Sequence, residues 1–545
     1  MGQLSRTNAI KQPLSSFPEW TSTHGIPQVG RSRKLYCMGF WAIITLIAAG
    51  LLIWQTVLLI LQYYHYDVSV QIELKFEQRA FPAVTVCNLN PYRKSVVYNF
   101  PKVKRLMDTY EYTMKSISCG ADPTCYMATN ATLEQYRTMY GFQGIYDTAA
   151  LQTRAKNILG LEIAGYNITD AVDKIGDFIQ GCSFNTQDCD MTNDWETYID
   201  PKMGSCFAFN TNATHMAQRA GPIYGLRVVL KTNISEFLAT SDAAGMRVIV
   251  YDQGEKPFPD IFGYNVQTGS SSSIGVTFVD MSRLAEPYGQ CTDDKPDNYL
   301  YDLAYSTEGC QRSIYQQEMI DNCNCYDPSY PIPAGSNATV CVIPDDSEPR
   351  GDRRSVKDDR RRTIVLFFGP RQQVIVENFL VNFHASFDEY PSLEAEPGTI
   401  AEVFLVLRPM ATIACWARLT NLSSSDNSCT QPCNEGVYEV TVSSAKWPSG
   451  SVTQVGNCIE GEYDESCLTV FKKNGALLEV FYEKLNYQTM DESPAYTFTQ
   501  LLSDFGGQIG LWLGMSIVSL IEFCVLAFQL IAGLIHPKVG NAVAL

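Results

Sequence analysis

The sequence predicts an α+β membrane protein in which two transmembrane helices flank a large, disulfide-rich extracellular domain. Three observations predict it. Leu35 to Tyr64 contains no Asp, Glu, Lys or Arg, and Phe505 to Ile535 contains a single charged residue, Glu522; each stretch exceeds the ~20 apolar residues that cross ~30 Å of hydrocarbon. Of 18 cysteines, 16 fall between Cys87 and Cys467, and an even number in an oxidising compartment is what a disulfide framework needs. Between the two apolar stretches, short alternating strand-like runs are mixed with helical patches.

Residues 1–34 precede the first helix, which covers 35–64. Its late start, its length and the lack of a small-residue cleavage site mark a retained anchor rather than a signal peptide. Arg31, Arg33 and Lys34, with Arg6 and Lys11 upstream against Glu19, put the amino terminus in the cytoplasm. A second span at 505–535 returns 536–545 to the same side and leaves 65–504 outside. Sequons at Asn130, Asn167, Asn212, Asn233, Asn337 and Asn421 all lie in that outer interval and are read as glycosylation sites. A net charge of −17 argues against a nucleic-acid partner and suits a surface that attracts cations.

In the outer segment, strands are expected at Val68 to Glu73, within Phe81 to Arg93, and at Gly225 to Leu230, Met246 to Tyr251, Ile274 to Val279 and Leu477 to Tyr482. Residues 100–200 mix helical patches with Cys119, Cys125, Cys182 and Cys189, whose short spacings suggest local clips. A helix is expected from Gln311 to Asp321. Residues 342–414 stand apart, opening on the run DDSEPRGDRRSVKDDRRR. Such a run reads as a solvated, mobile loop; a specific binding arm and an error in the gene model are the alternatives.

The second apolar stretch carries GGQIGLWLGMS. Gly506, Gly510 and Gly514 share one helical face, as small-x-x-x-small packing does. Gly507 and Gly514 are seven apart, and Ser503, Asp504, Gln508 and Ser516 add polar groups, which in a membrane segment face a protein interior or an aqueous path. The residues alone leave close packing and a pore both open. Thirty-one residues of continuous helix would span roughly 46 Å, so the segment must tilt or break, and Gly-Met-Ser is where the backbone is most permissive. Glu522 should face a pore or a basic partner. Five histidines, none at metal-ligand spacing with the cysteines, and the absence of a phosphate loop or nucleophile elbow argue against an enzyme, a metal site or a cofactor.

Phe81-Pro82-Ala83-Val84-Thr85-Val86-Cys87-Asn88 resembles the FPAVTxCN signature of the degenerin/epithelial sodium channel superfamily. Thr23-His24-Gly25 is similar to its cytoplasmic His-Gly motif, Cys206-Phe207-Ala208-Phe209-Asn210 to its CFxFN, Cys323-Asn324-Cys325 to its CNC, and Gly514-Met515-Ser516 to its Gly-x-Ser filter, all in the family's order. The resemblance implies a palm, finger and thumb type of outer domain and a trimeric, sodium-selective, amiloride-blocked channel of the plasma membrane. Homotrimers and heterotrimers with related subunits are both open; Na⁺ is the permeant ion, and membrane lipid surrounds the helices.

By the same resemblance, Cys87 pairs with Cys206, Cys182 with Cys189, Cys291 with Cys433, Cys310 with Cys429, Cys323 with Cys415 and Cys325 with Cys341. A further thumb bridge of acid-sensing members is absent near Ile314 and Asn427. The short spacings of the remaining four suggest Cys119 with Cys125 and Cys458 with Cys467. Gly514, Met515 and Ser516 become the selectivity filter. Ser503, Asp504, Gly507, Gly510 and Glu522 line gate and pore, with Asp504 at the outer mouth and Gly507 at the position where bulky side chains hold such channels open. His24 and Gly25 sit at the inner entrance. Tyr288 touches the top of the first helix near Tyr63 or Tyr64.

For the stimulus, the chain looks like the invertebrate FMRFamide-gated sodium channels, which implies an extracellular peptide ligand. Proton gating, with Asp242 as one acidic-pocket carboxylate, is the runner-up; constitutive or mechanical gating follows. A non-conducting two-pass scavenger-type receptor is the rival from another class, but it gives no reason for the glycine-stepped helix. Trimeric ATP-gated channels share the topology without the motifs.

Overall fold

The computed structural model describes residue 11 and residues 13–120, 130–343, 364–368, 372–376, 429–451 and 466–535. Its principal helices are α1 (Leu35–Tyr63), α2 (Pro101–Cys119), α3 (Ala131–Met139), α4 (Thr148–Ile163), α5 (Thr307–Cys323), α6 (Cys467–Asn474), α7 (Phe498–Leu513) and α8 (Ile517–Ile535). α1 is long and apolar enough to cross a membrane; α7 and α8 together give a second apolar path, bent by 77° at the break between them.

The strands are β1 (Val68–Phe76), β2 (Ala83–Asn88), β3 (Ile179–Phe184), β4 (Gln187–Asp188), β5 (Trp195–Asp200), β6 (Gly204–Phe209), β7 (Leu226–Lys231), β8 (Gly245–Tyr251), β9 (Tyr264–Gln267) and β10 (Ser270–Ser282). They continue with β11 (Cys325–Tyr326), β12 (Thr339–Val340), β13 (Ile364–Phe368), β14 (Gln372–Val376), β15 (Asn434–Lys446), β16 (Gly475–Tyr482) and β17 (Asn486–Pro494). One sheet runs β1-β17-β10-β16-β7-β3-β4, with β15 on β10, and a second runs β5-β6-β2-β8-β9.

The length of β10 organises the larger sheet. Along its whole span, Ser270 to Ser282, it pairs antiparallel with β15. On its other edge Ser271–Val276 pairs with β16 and Val279–Ser282 with β17, both parallel. β16 and β17 therefore lie end to end along one strand. β17 in turn pairs with β1 over nine residues, Val68↔Pro494 to Phe76↔Asn486, and this ribbon joins the membrane-proximal ends of α1 and α7.

The FPAVTVCN and CFAFN motifs are neighbouring strands. β2 and β6 pair antiparallel with Cys87 opposite Cys206, and every residue of both strands is buried. Phe81, Val84, Val86, Phe207 and Phe209 fill one apolar core with Phe278 and Leu478 from the larger sheet. Asparagines in and just beyond the motifs satisfy buried backbone: Asn210 donates to the Phe81 carbonyl and accepts from the His215 N–H, Asn88 accepts from the Asn90 N–H, and Asn90 accepts from the Leu238 N–H while donating to the Tyr92 carbonyl. Unpaired, such groups would each cost ~1–3 kcal/mol. A second core, with Leu106, Met107, Leu151 and Ile158, holds α2 against α4.

Five expected disulfides are present: Cys87–Cys206, Cys182–Cys189, Cys291–Cys433, Cys310–Cys429 and Cys325–Cys341. Cys119, Cys323 and Cys467 are also disulfide-bonded, and their expected partners Cys125, Cys415 and Cys458 lie outside the described residues, as do Asn421 and 536–545. Asn130, Asn167, Asn212, Asn233 and Asn337 are all exposed.

Four boundaries differ from the sequence reading. The segment LNYQTMDESPAY, which the sequence reading did not count among the strands, contains β17, because β1 and β10 offer it two partner edges. The helix of the second apolar stretch begins at Phe498 rather than Phe505, since Thr497 and Gln500 form a capping box there. The helix expected at Gln311 to Asp321 extends over Thr307–Cys323, started by the Ser306 side chain accepting from the Gly309 N–H. Within 342–414, read as a loop, Ile364–Phe368 and Gln372–Val376 form an antiparallel pair; apart from these and residues 342–343, that block lies outside the described residues.

Leu478 is fully buried between the sheets whereas Val442 is about half exposed. Leu478→Ala should destabilise the protein by ~2–5 kcal/mol and Val442→Ala by less than ~0.5 kcal/mol, read by thermal unfolding of the detergent-solubilised chain.

Candidate functional site

The break between α7 and α8 is built around one glycine. Gly514 adopts φ +58°, ψ 24°, the left-handed conformation that ends helices. Its N–H still bonds the Gly510 carbonyl at 3.0 Å, and the Met515 N–H reaches the Ile509 carbonyl at 3.4 Å. Beyond that point the path turns through 77°. A side chain at Gly514 would collide with the His24 ring, so glycine is required here by both backbone and neighbour.

His24 belongs to a segment that folds back beneath the break. Its N–H donates to the Leu513 carbonyl at 2.8 Å, a group that the interrupted helix leaves without an intrahelical partner. Gly25, at φ +89°, lies so close to Thr45 of α1 that a Cβ would strike its hydroxyl. On the other side of the break, Ser519 Oγ accepts from the Ser516 N–H at 3.1 Å and lies 2.6 Å from Ser22 Oγ. Ser519 is fully buried.

Glu522 closes this network with hydroxyl and backbone donors where a basic side chain was the alternative to a pore-facing position. Its Oε2 accepts from the Ser22 N–H at 2.8 Å, from Ser22 Oγ at 3.1 Å and from Thr21 Oγ1 at 3.1 Å. Three donors from one short stretch replace a cation. Phe17 packs its ring 5.0 Å from Phe523 and holds that stretch against α8. The sequence reading placed His24 and Gly25 at the inner entrance but missed Thr21, Ser22 and Ser519, whose only signal was a run of small hydroxyl residues beside the His-Gly pair.

The other glycines behave differently from one another. At Gly506 and Gly507 a Cβ would meet nothing within 4 Å, and at Gly510 only the Met515 carbonyl at 3.9 Å. The close packing expected of Gly506 and Gly510 is therefore not made within one chain; their face of α7 is open. Ser503 and Asp504 are exposed near the start of the same helix, and Asp504 Oδ2 accepts from the Tyr496 hydroxyl at 2.7 Å.

At the outer end of α1 the aromatic contact is shifted from where the sequence placed it. Tyr288 meets Tyr66, edge to face at 5.3 Å, rather than Tyr63 or Tyr64. Tyr66 packs in turn against Tyr64 at 6.1 Å and Tyr63 at 6.3 Å, and Tyr63 lies 6.4 Å from Phe498 at the start of α7. Tyr66 has φ +55°, a left-handed conformation that costs a non-glycine residue ~1–3 kcal/mol. The cluster so links the outer domain to the tops of both apolar segments.

The carboxylates of the outer domain also sort unexpectedly. Asp242 pairs with Lys156 at 3.4 Å; against desolvation, which raises it, a backbone hydrogen bond and Lys156 hold it below the ordinary value. Glu255 is the group pushed up, to about 7, by burial first and then by Asp252 and Glu435. Asp252 itself faces Arg79 at 3.6 Å and Glu435 faces Arg283 at 2.9 Å. This cluster joins residues far apart in sequence, so no local pattern announced it.

Among the described residues no group of His, Cys, Asp and Glu side chains is arranged to hold a metal ion. The long apolar helix, the disulfide-framed α+β domain and the braced break between α7 and α8 together define a cysteine-rich protein carrying a membrane-spanning type of helix. Residues 17–526 match the family model described as amiloride-sensitive sodium channel, and the chain belongs to that family of ion channels, within the degenerin/epithelial sodium channel superfamily. It is 34% identical over 401 residues to degenerin deg-1 of Caenorhabditis elegans, covering 72% of this chain and 44% of that protein. To degenerin mec-4 of Caenorhabditis briggsae it is 38% identical over 396 residues, 71% of this chain and 43% of that one. Degenerin mec-10 of Caenorhabditis elegans aligns over 679 residues at 28% identity, 97% of this chain and 85% of the relative. The chain thus spans less than half the length of deg-1 and mec-4.

Glu255 yields a prediction with a definite sign. Its folded-state value of about 7 lies above the ordinary 4.5, so the folded state holds the proton more tightly and stability falls as pH rises through that window. Glu255→Gln should raise the unfolding temperature at pH 8 and leave it unchanged below about pH 4.5, as followed by thermal melts across pH.

Proposed function

We propose that the chain is a pore-forming subunit of a sodium-selective cation channel, with Gly514, Met515 and Ser516 as the filter and Gly507 as the gate. The single observation that carries this reading is the break itself. Irregular backbone at membrane depth is tolerated only where it is buried in protein or lines a water-filled path, and α7 carries an open glycine face just above it. Several copies arranged with that face inward bring the turn of each chain to a common axis. There, carbonyls and the Ser516 hydroxyl replace part of the hydration shell of Na⁺. α7 and α8 then form the second crossing, and both termini are cytoplasmic. We take the assembly as a trimer, of this chain alone or with related subunits, open to amiloride-type blockers from the outer side.

Gly507 suits a gate because three helices seal only where small residues let them approach, and a bulky side chain there props them apart. Asp504, exposed near the outer end, concentrates cations at the mouth. Glu522, held by Thr21 and Ser22, couples the inner path to the amino-terminal segment instead of lining the pore freely.

For the stimulus, an extracellular neuropeptide remains the proposal drawn from the resemblance; the relatives named above are degenerins, so the peptide part rests on that resemblance alone. Gating by protons is the second reading, favoured by the Asp252–Glu255–Glu435 cluster with Glu255 titrating near 7. Voltage-clamp recording from cells expressing the chain, with Na⁺ replaced by K⁺, tests the channel itself. Gly507→Phe should give a standing Na⁺-selective current, and its absence under peptide, acid and this substitution alike would falsify the reading. A panel of amidated peptides against a step to pH 6 separates the stimuli: current with acid alone removes the peptide.

A further inference from the structure

α1 and α7 share one polar contact that the filter and gate do not use. Trp512 Nε1 donates to Gln55 Oε1 at 2.7 Å. The indole N–H is a donor only and the amide oxygen an acceptor, so the pairing is unambiguous in direction. α1 is otherwise almost wholly apolar; the hydroxyl of Thr45 is turned back onto the Trp41 carbonyl of its own helix. Gln55 lies roughly 12 Å below the outer end of α1 at 1.5 Å per residue, well inside the apolar stretch, where hydrocarbon offers neither group a substitute partner.

We propose that the Gln55–Trp512 hydrogen bond positions the filter, a role that rests on the channel reading above. Trp512 is two residues before Gly514, so its side chain is the last on α7 to be tied to α1 before the backbone turns. The His24 N–H holds the Leu513 carbonyl from the inner side. The final turn of α7 is thus pinned by two different partners, one on each side of the chain. Rotation of α7 by a single residue position, about 100°, carries the indole off Gln55 altogether. The bond therefore sets both the height and the azimuth at which the carbonyls of residues 513–515 face the axis. Gln55 and Trp512 touch no ion; they are positioning residues for the groups that do.

The test uses the full chain carrying Gly507→Phe throughout, so that current flows without a known stimulus. Gln55→Leu and Trp512→Phe should each lower the Na⁺/K⁺ permeability ratio at least threefold while surface labelling stays unchanged. The double variant should fall no further than the larger single one, because both changes remove the same bond. Thr56→Val, beside Gln55 on α1, should leave the ratio as it is. If Gln55→Leu fails to reach the surface, the nearly isosteric Gln55→Met is read in its place with the same expectation. A selective parent channel whose ratio neither single change alters, or a double variant whose loss is the product of the two, overturns the positioning role alone. A parent that carries no current overturns the channel reading and this role with it.

Discussion

Breaking a helix leaves backbone groups that must find partners, and residues 514–516 are where that constraint falls. The Leu513 carbonyl takes the His24 N–H, and the Ser516 N–H takes Ser519 Oγ. Meeting those demands requires a second piece of chain at the same depth, which is why the amino-terminal segment folds back under α7 and α8. Glycine stands on both sides of the approach, at 25 and 514, where any side chain would hold the pieces apart. Glu522 then satisfies the donors that the returning segment brings with it. The brace is self-consistent: each polar group is there because another would otherwise be bare.

The signature motifs of the outer domain have a different physical meaning. Phe81 to Asn88 and Cys206 to Asn210 are recognisable in sequence because they are core and hydrogen-bond anchors in adjacent strands, with little freedom to vary in size or polarity. They specify the scaffold and perform no chemistry of their own. That is why they gave the fold securely and left the stimulus undetermined.

What was legible in the sequence was whatever has a local signal. The first apolar helix, the strands β2, β7, β8 and β16 and the position of the break follow from composition, alternation or backbone permissiveness, and the five disulfides from the family resemblance. What escaped depends on distant partners. β17 is polar and looks like a linker until β1 and β10 are placed on either side of it. Tyr66 was passed over for Tyr63 and Tyr64 because its left-handed backbone, which swings the ring toward Tyr288, has no counterpart in residue type. The donors that Glu522 meets have no local signal, because a run of hydroxyls five hundred positions away is invisible to any window. Glu255 owes its high affinity for a proton first to burial, then to Asp252 three residues away and to the distant Glu435; burial and Glu435 are not announced by the surrounding residues.

The ribbon of β1 and β17 restricts how the two apolar segments can move. Its nine paired positions hold a continuous register, and a slip by one residue would turn every side chain to the opposite face. The outer ends of α1 and α7 consequently cannot travel past one another like pistons. Motion that reaches them from the outer domain is confined to the short stretches at 64–67 and 495–497, which act as pivots. In the channel proposed above, opening between neighbouring copies is then a splaying of stiff legs from a fixed hip, with the largest displacement farthest from the ribbon, at the turn where α7 meets α8.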